Sequence, residues 1–289
     1  MTLEHALSRD HVTPAFTLLA ALVPVVGVAL FGWRAAEVLA VYWVEVAAVV
    51  AGHSVAALFA ERPIRLEDRS FYITGYSKRS ERDPERWTGE PEPIGLVDRA
   101  VPDGLAERLP PMYRRNVSVV TRSLGVVGFL LFGAIAIADA LGVDPVAVAT
   151  TPSVVLAAVA VGFGQLAEIR RTFFLPRRYE AWSAYMTVEA AQRVVVFYVA
   201  VGLLAVPVAF VGLLVASALL GDAIAGGELV VPGAGPFGPA ASVDPLVLAY
   251  VLSFALAKAV VDRSRRLASA QSDPSGFAAW FLPEDPRSE

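Results

Sequence analysis

One acidic residue, Glu45, lies near the middle of an apolar stretch that runs from Ala36 to Ala60. On an α-helix, which turns about 100° per residue, Tyr42 and His53 fall within about 80° of Glu45. An ionised carboxylate inside a bilayer costs several kcal/mol unless it is paired, hydrated or protonated. A candidate intramembrane polar face of Tyr42, Glu45 and His53 has the groups of a proton or cation relay. The structural alternative, which we favour, is a protonated or hydrogen-bonded Glu45 that holds two helices together.

Other kinds of chemistry find little support in the residues. Glu45 and His53 are about 12 Å apart along a helix axis, too far to share a metal ion as an i, i+4 pair does. The chain has three His and no Cys, which excludes disulfides, thiolate metal sites and a Cys nucleophile. We find no set of nucleophile, base and orienting group. We therefore predict no catalytic residue, no metal and no cofactor, and the absence of a basic stripe predicts no nucleic-acid partner.

A second polar pair, Lys258 and Asp262, has i, i+4 spacing at the end of the last apolar stretch. This spacing places both side chains on one face of a helix and predicts a structural ion pair near the membrane interface. Glu189 and Arg193 have the same spacing at the start of the fifth stretch. Anchoring or interhelical pairing is the expected role of both pairs.

Long apolar stretches must position these residues. A membrane-crossing helix needs about 20 mostly apolar residues. Six stretches meet this requirement: Ala15–Gly32, Ala36–Ala60, Arg122–Gly142, Pro152–Ile169, Ala190–Leu220 and Pro245–Val261. We predict an all-α fold, a polytopic integral membrane bundle of about six transmembrane helices. The first stretch is interpreted as a retained helix rather than a cleaved signal peptide, because the second follows almost immediately.

The distribution of basic residues predicts the orientation of these helices. Eleven Lys and Arg residues lie between the second and third stretches, whereas residues 143–151 and 221–244 contain none. Because basic residues accumulate on the cytoplasmic side, both termini are predicted to be cytoplasmic. The chain is therefore expected to be a multi-pass protein of the cytoplasmic membrane, with the lipid bilayer as its surroundings.

This topology divides the chain into four ranges. They are 1–60 (N-terminal segment and helices one and two), 61–121 (a cytoplasmic loop), 122–262 (helices three to six) and 263–289 (a cytoplasmic tail). The loop carries 11 basic and 11 acidic residues and too little apolar surface for a robust core, so we expect it to be partly ordered. It is a candidate docking surface for a protein partner. The aromatic residues Phe277, Trp280 and Phe281 of the tail are expected either to rest in the membrane interface or to be disordered.

Three short motifs resemble the domain of unknown function 6498 family: Tyr42–Glu45 (YWVE), Arg193–Val196 (RVVV) and Leu256–Asp262 (LAKAVVD). The resemblance implies a polytopic prokaryotic membrane protein of a group frequent in haloarchaea, with no assigned activity. The 22 Arg against two Lys, together with acidic external segments, also suit a salt-loving archaeon. Where the resemblance implies a His soon after Arg193–Val196, this chain has Phe197 and Tyr198.

Three functions are compatible with these features. A structural or interaction protein of the membrane is favoured, because the spans carry few polar groups and a mixed-charge loop faces the cytoplasm. The alternative is a small ion-coupled transporter that uses the Glu45 face. An intramembrane enzyme has the least support.

Overall fold

The computed structural model describes residues 24–28, 32–66, 69–77, 92–94, 109–140, 142–220, 229–231, 241–243, 245–270 and 274–285. This part of the chain is mostly helical. Its helices are α1 (Ala35–Ala57), α2 (Val117–Ala140), α3 (Pro145–Ala149), α4 (Pro152–Ile169), α5 (Arg178–Ala181), α6 (Ala184–Leu220) and α7 (Pro245–Ala270). Residues 24–28 are also helical, and a π-helical turn at Arg170–Phe174 follows α4. The short strands are β1 (Pro93–Ile94), β2 (Met112–Tyr113), β3 (Leu229–Val231) and β4 (Ala241–Val243), which pair antiparallel as β1 with β2 and β3 with β4.

The helices coincide with the second to sixth predicted stretches. Helix α4 has the predicted bounds, whereas α2 and α6 begin several residues earlier and α7 ends later than the apolar stretch. Helices extend beyond the apolar residues because polar residues also sustain a helix. Most of the first predicted stretch, the larger part of the 61–121 loop and most of residues 221–244 lie outside the described residues.

Within the described residues, four helices are long and apolar enough to cross a membrane. These are Ala35–Ala57, Arg114–Ala140, Pro152–Phe174 and Ala184–Val201. Helix α7 is not among the four; it carries Lys258 and Asp262 and ends in an arginine-rich segment. The chain is therefore an all-α protein with several candidate membrane helices, and the count of six stays a prediction.

Large apolar side chains are exposed along these helices. Phe129 and Phe132 on α2 are 75% and 71% exposed, and Leu156, Phe163 and Leu166 on α4 are exposed to a similar degree. Aromatic and aliphatic surface of this extent is unfavourable in water. It is the surface expected of helices that contact lipid.

The chain forms two compact units, which are described separately. Unit 1 comprises Met1–Trp43, Ala138–Ala158 and Val196–Ala278, and unit 2 comprises Val44–Ile137, Val159–Val195 and Ala279–Glu289.

In unit 1, an indole packs closely against a glycine. The Trp33 indole donates to the hydroxyl of Ser153 at 2.8 Å, and the Trp33 backbone N–H donates to the carbonyl of Gly27. A Cβ at Gly27 would lie 2.2 Å from the indole. Gly32, between the two residues, has φ +65°, a conformation that glycine adopts without strain. These contacts attach residues 24–28 to the starts of α1 and α4.

In unit 2, a buried apolar cluster surrounds the end of α1 and the start of α6. Its members are Ala57, Ala60, Ile64, Leu66, Ile73, Tyr76, Val119, Val120, Ala184, Tyr185 and Val188. The amide Nδ2 of fully buried Asn116 donates to the carbonyls of Leu58 and Ala60. Both carbonyls lie just after the end of α1, and that of Leu58 also accepts the Tyr113 backbone N–H. The segment after α1 thus packs into an ordered core and positions the residues of the site described next.

Candidate functional site

A buried ion cluster lies at the start of α6 in unit 2. One Glu189 oxygen is 2.7 Å from Nη1 of Arg69, and the other is 2.7 Å from Nη2 of Arg193. The side chains of Arg69 and Glu189 are 1% and 0% exposed, and that of Arg193 is 6% exposed. Buried charges are tolerated when they are paired and hydrogen-bonded, and these three are.

Local structure positions both arginines. Glu189 and Arg193 are one helical turn apart on α6, so Arg193 Nε also donates to Glu189, at 2.9 Å. Arg69 Nε donates to the carbonyl of Arg65 at 2.7 Å. The Arg69 guanidinium also lies 4.2 Å above the centre of the Tyr185 ring, a cation–π contact. The planar guanidinium of each arginine thus has a defined orientation.

The tail segment supplies a second carboxylate. Glu284 Oε1 lies 3.0 Å from Nη2 of Arg193 and accepts from the Ser70 hydroxyl, while Oε2 accepts the Ser70 backbone N–H at 2.8 Å. Burial by itself raises the pKa of Glu284, but the Ser70 hydrogen bonds and the Arg193 charge outweigh it. The pKa of Glu284 is therefore below its ordinary value, and the carboxylate is ionised at neutral pH.

Aromatic side chains cover this polar cluster. The Trp280 ring meets Phe71 edge to face, with centroids 6.1 Å apart. The Arg193 guanidinium lies about 5 Å from the centres of both rings. Phe281, the next residue, is buried. Trp280 therefore packs against other residues of unit 2, in which Phe281 is also buried. Phe277 contacts Phe197 within unit 1.

This arrangement is suited to binding. Two arginines and two glutamates neutralise one another, and their hydrogen bonds join α6, the segment after α1 and the tail. Among the residues that the structure describes, no group of three or more His, Cys, Asp or Glu is placed to hold a metal ion.

The residues of the predicted polar face are buried in the structure. Tyr42 belongs to unit 1, where its ring centre is 4.0 Å from that of Phe254. Glu45 and His53 belong to unit 2 and are 7% and 8% exposed. Nδ1 of His53 lies 2.9 Å from the carbonyl of Val49. A carbonyl can only accept, so Nδ1 carries the proton.

The Glu45 side of α1 is closely packed two and three turns further along the helix, at Gly52 and Ala56. A Cβ at Gly52 would lie 2.3 Å from Cδ1 of Ile169. Ala56 joins Ile169, Phe59 and Phe173 in an apolar cluster. Gly52 and Ala56 lie within about 20° of Glu45 around the helix axis. Side-chain packing with the end of α4 therefore occupies this side of α1.

In unit 1, Asp262 receives three polar contacts. Nζ of Lys258 is 2.7 Å from its Oδ2, the hydroxyl of Tyr198 donates to its Oδ1 at 3.1 Å, and Nη1 of Arg265 lies 3.9 Å away. The carboxylate thus connects α6 to α7. Tyr198 stands near the position where the resemblance implied a His, and it supplies a hydrogen-bond donor.

The sequence reasoning included the Glu189–Arg193 pair but missed Arg69, Ser70 and Glu284. Arg69 and Glu284 lie in charged segments, where the usual expectation is a solvated side chain. The available signal was an aromatic residue close to a charged residue in each segment: Phe71 after Arg69, and Trp280 before Glu284. Such short motifs do not identify a partner far away in the chain.

Comparison with known proteins identifies a family. The model of a family of unknown function (DUF6498) matches residues 4–231. The match includes the first two of the three motifs and residues 61–121. It ends before α7, which contains the third motif, Leu256–Asp262. No match is found among curated proteins or among solved structures. Since the matched range covers more than half of its length, the chain belongs to the family of unknown function DUF6498.

Proposed function

We propose that this chain is a multi-pass protein of the cell membrane that acts as a structural or interaction protein. In this proposal about six helices cross the bilayer, both termini are cytoplasmic, and ranges 61–121 and 263–289 form a polar cytoplasmic face. The four candidate membrane helices and their exposed apolar side chains support a lipid environment. The asymmetric distribution of basic residues supports the orientation.

The buried ion cluster of Arg69, Glu189, Arg193 and Glu284 is the observation that carries the proposed role. It attaches part of the 61–121 range and the tail to the start of α6. The described residues around this cluster therefore form a surface of defined shape, which a binding partner requires. A loop that served only to connect two helices would not need buried, paired charges.

The topology is tested with single cysteines, because the natural chain has none. Val146→Cys lies in the segment predicted to be external, and Leu175→Cys in a segment predicted to be internal; both positions are exposed. In intact cells a membrane-impermeant thiol reagent is expected to label Val146→Cys alone. Leu175→Cys should react only after permeabilisation. Equal labelling of both positions in intact cells would overturn the proposed topology.

The interaction role is tested by crosslinking in native membranes. A photocrosslinking residue at Arg65, which is exposed near the cluster, is expected to yield an adduct with a second protein. The same residue at Phe163, exposed on α4, should give lipid adducts. If Arg65 also yields lipid alone, the interaction role is refuted.

The transporter alternative has weaker support. Gly52 and Ala56, on the same side of α1 as Glu45, pack against Ile169. A carrier predicts that Glu45→Gln abolishes a proton or cation flux in proteoliposomes. We expect this variant to fold and to show no difference in flux from the wild type.

A further inference from the structure

Main-chain groups of residues 280–285 bind side chains from other segments of unit 2. The carbonyl of Trp280 accepts from Nη1 of Arg193 at 2.9 Å, and the carbonyl of Glu284 accepts from Nη1 of Arg69 at 3.1 Å. The N–H of Glu284 donates to Oε1 of Glu189 at 3.1 Å. Three backbone groups of the segment thus bind charged side chains that are themselves buried. Trp280 and Phe281 end a 3-10 helix (Gly276–Phe281), and the residues after it have no regular secondary structure. Proteins recognise short peptides through backbone hydrogen bonds combined with side-chain pockets.

The side chains of the segment meet complementary groups. Trp280 rests against Phe71 and Arg193, and Glu284 binds Ser70 and Arg193. Asp285 adds an ion pair with Arg62, at 3.1 Å. The order of these contacts defines a motif: an aromatic residue, a carboxylate four positions later, and a second carboxylate next to it.

The receiving surface, called here the tail-binding site, consists of Arg62, Arg69, Ser70, Phe71, Glu189 and Arg193. Three arginines against one glutamate leave it with two positive charges, which the carboxylates of Glu284 and Asp285 match. Glu189 holds Arg69 and Arg193 in place through contacts that do not involve residues 280–285. The site is therefore largely preorganised, which lowers the entropic cost of binding a ligand.

We propose that the tail-binding site recognises an acidic peptide segment with an aromatic residue, carried by a protein partner, and that residues 280–285 are its intramolecular occupant. This inference rests on the proposed interaction function and names its site and partner class. A peptide fits better than a lone anion, because an anion would leave the backbone-binding groups and the Phe71 surface unused. The resident segment contributes six residues, and the Ser70–Glu284 contact is exposed, so a partner segment can compete for the site.

The experiment uses the full chain in lipid nanodiscs and a fluorescent synthetic peptide with the sequence of residues 276–285, GFAAWFLPED. Fluorescence anisotropy measures its apparent affinity. In the wild type the resident segment competes with the peptide. Glu284→Gln weakens that segment and leaves the tail-binding site intact. We expect it to bind the peptide about tenfold more tightly than the wild type does, because hydrogen bonds to a charged acceptor are lost from the competitor.

Two controls accompany the measurement. Glu92→Gln removes an acid from an exposed pair with Arg114 and is expected to bind the peptide as the wild type does. A peptide with glutamine in place of the glutamate, GFAAWFLPQD, is expected to bind the Glu284→Gln chain about tenfold more weakly than the native peptide.

Several results would overturn the inference. One is a folded Glu284→Gln chain that shows no saturable peptide binding, or that binds a scrambled peptide equally well. Another is displacement of the peptide by inorganic phosphate, or by vesicles of anionic lipid, at an equal concentration of negative charge. Such displacement would mean that the site recognises charge alone. A failed peptide assay alongside correct topology and an adduct of a second protein at Arg65 would reject this site and leave the proposed function standing. Incorrect topology would reject the proposed function itself.

Discussion

Arg69 and Glu189 are 120 residues apart in the chain, yet Nη1 of one lies 2.7 Å from Oε2 of the other, with both side chains almost fully buried. An ion pair this deeply buried contributes little net stability compared with apolar residues of the same volume, but losing one partner is costly. Glu189 is the shared partner of two arginines. Its removal therefore affects the whole cluster.

Glu189→Gln is expected to destabilise the protein by about 3–5 kcal/mol, because two buried guanidiniums lose a charged partner. Glu168→Gln is the matched control, since Glu168 forms a more exposed i, i+3 pair with Arg171. This control should cost less than about 1 kcal/mol. Thermal unfolding in detergent measures both. Equal melting temperatures for the two variants would contradict the role given to Glu189.

Acidification is expected to release the tail segment. The pKa of Glu284 is lowered in the folded protein, so its contribution to docking is fully present above the ordinary glutamate pKa of about 4.3. The contribution is lost as the pH falls through the lowered pKa. A dye on Ala279→Cys, an exposed position in the tail, would report release as a fall in fluorescence anisotropy below about pH 4.3.

Glu189 and Asp285 are further acidic residues around this segment. The contribution of Glu284 is therefore the difference between the wild-type curve and that of Glu284→Gln, both carrying the dye. If the two curves superimpose over the whole acid range, Glu284 does not control docking.

Gly27→Ala is expected to destabilise unit 1 by about 1–3 kcal/mol, because a new methyl group would overlap the Trp33 indole. The rigid indole, which is also bound to Ser153, has little room to move. Gly125→Ala is the control, since its Cβ meets no heavy atom within 4 Å. It should be neutral or slightly stabilising, because alanine favours a helix. A smaller loss of melting temperature for Gly27→Ala than for Gly125→Ala would refute the close approach.

The Asp262 contacts in unit 1 predict an order of effects. Asp262→Asn is expected to cost on the order of 2 kcal/mol, because buried Lys258 loses its charged acceptor, whereas Tyr198→Phe loses one hydrogen bond and about 1 kcal/mol. The double variant Lys258→Met with Asp262→Leu should recover part of the loss, since both charges of the buried Lys258–Asp262 pair are removed together. Melting temperatures of the three variants decide the order. A double variant less stable than Asp262→Asn alone would contradict this account.

The sequence by itself determined the apolar helices. The Pro152–Ile169 stretch became α4 with unchanged bounds, because a run of nearly 20 mostly apolar residues favours a helix in which every backbone group bonds within the segment. The Glu189–Arg193 and Lys258–Asp262 pairs were also predictable, since i, i+4 spacing places two side chains together whatever surrounds the helix. The family was evident from its short motifs and is shown by the match to residues 4–231.

Only the tertiary structure decided which charges are buried together. Arg69 and Glu284 approach Glu189 across 120 and 95 residues of chain, and no local period encodes such a distance. Asn116 binds the end of α1 and Trp280 meets Phe71 for the same reason: these partners are set by how the helix ends pack. A hydrophobic span is a property of one segment, whereas a buried ion cluster is a property of several segments that must first fold against one another.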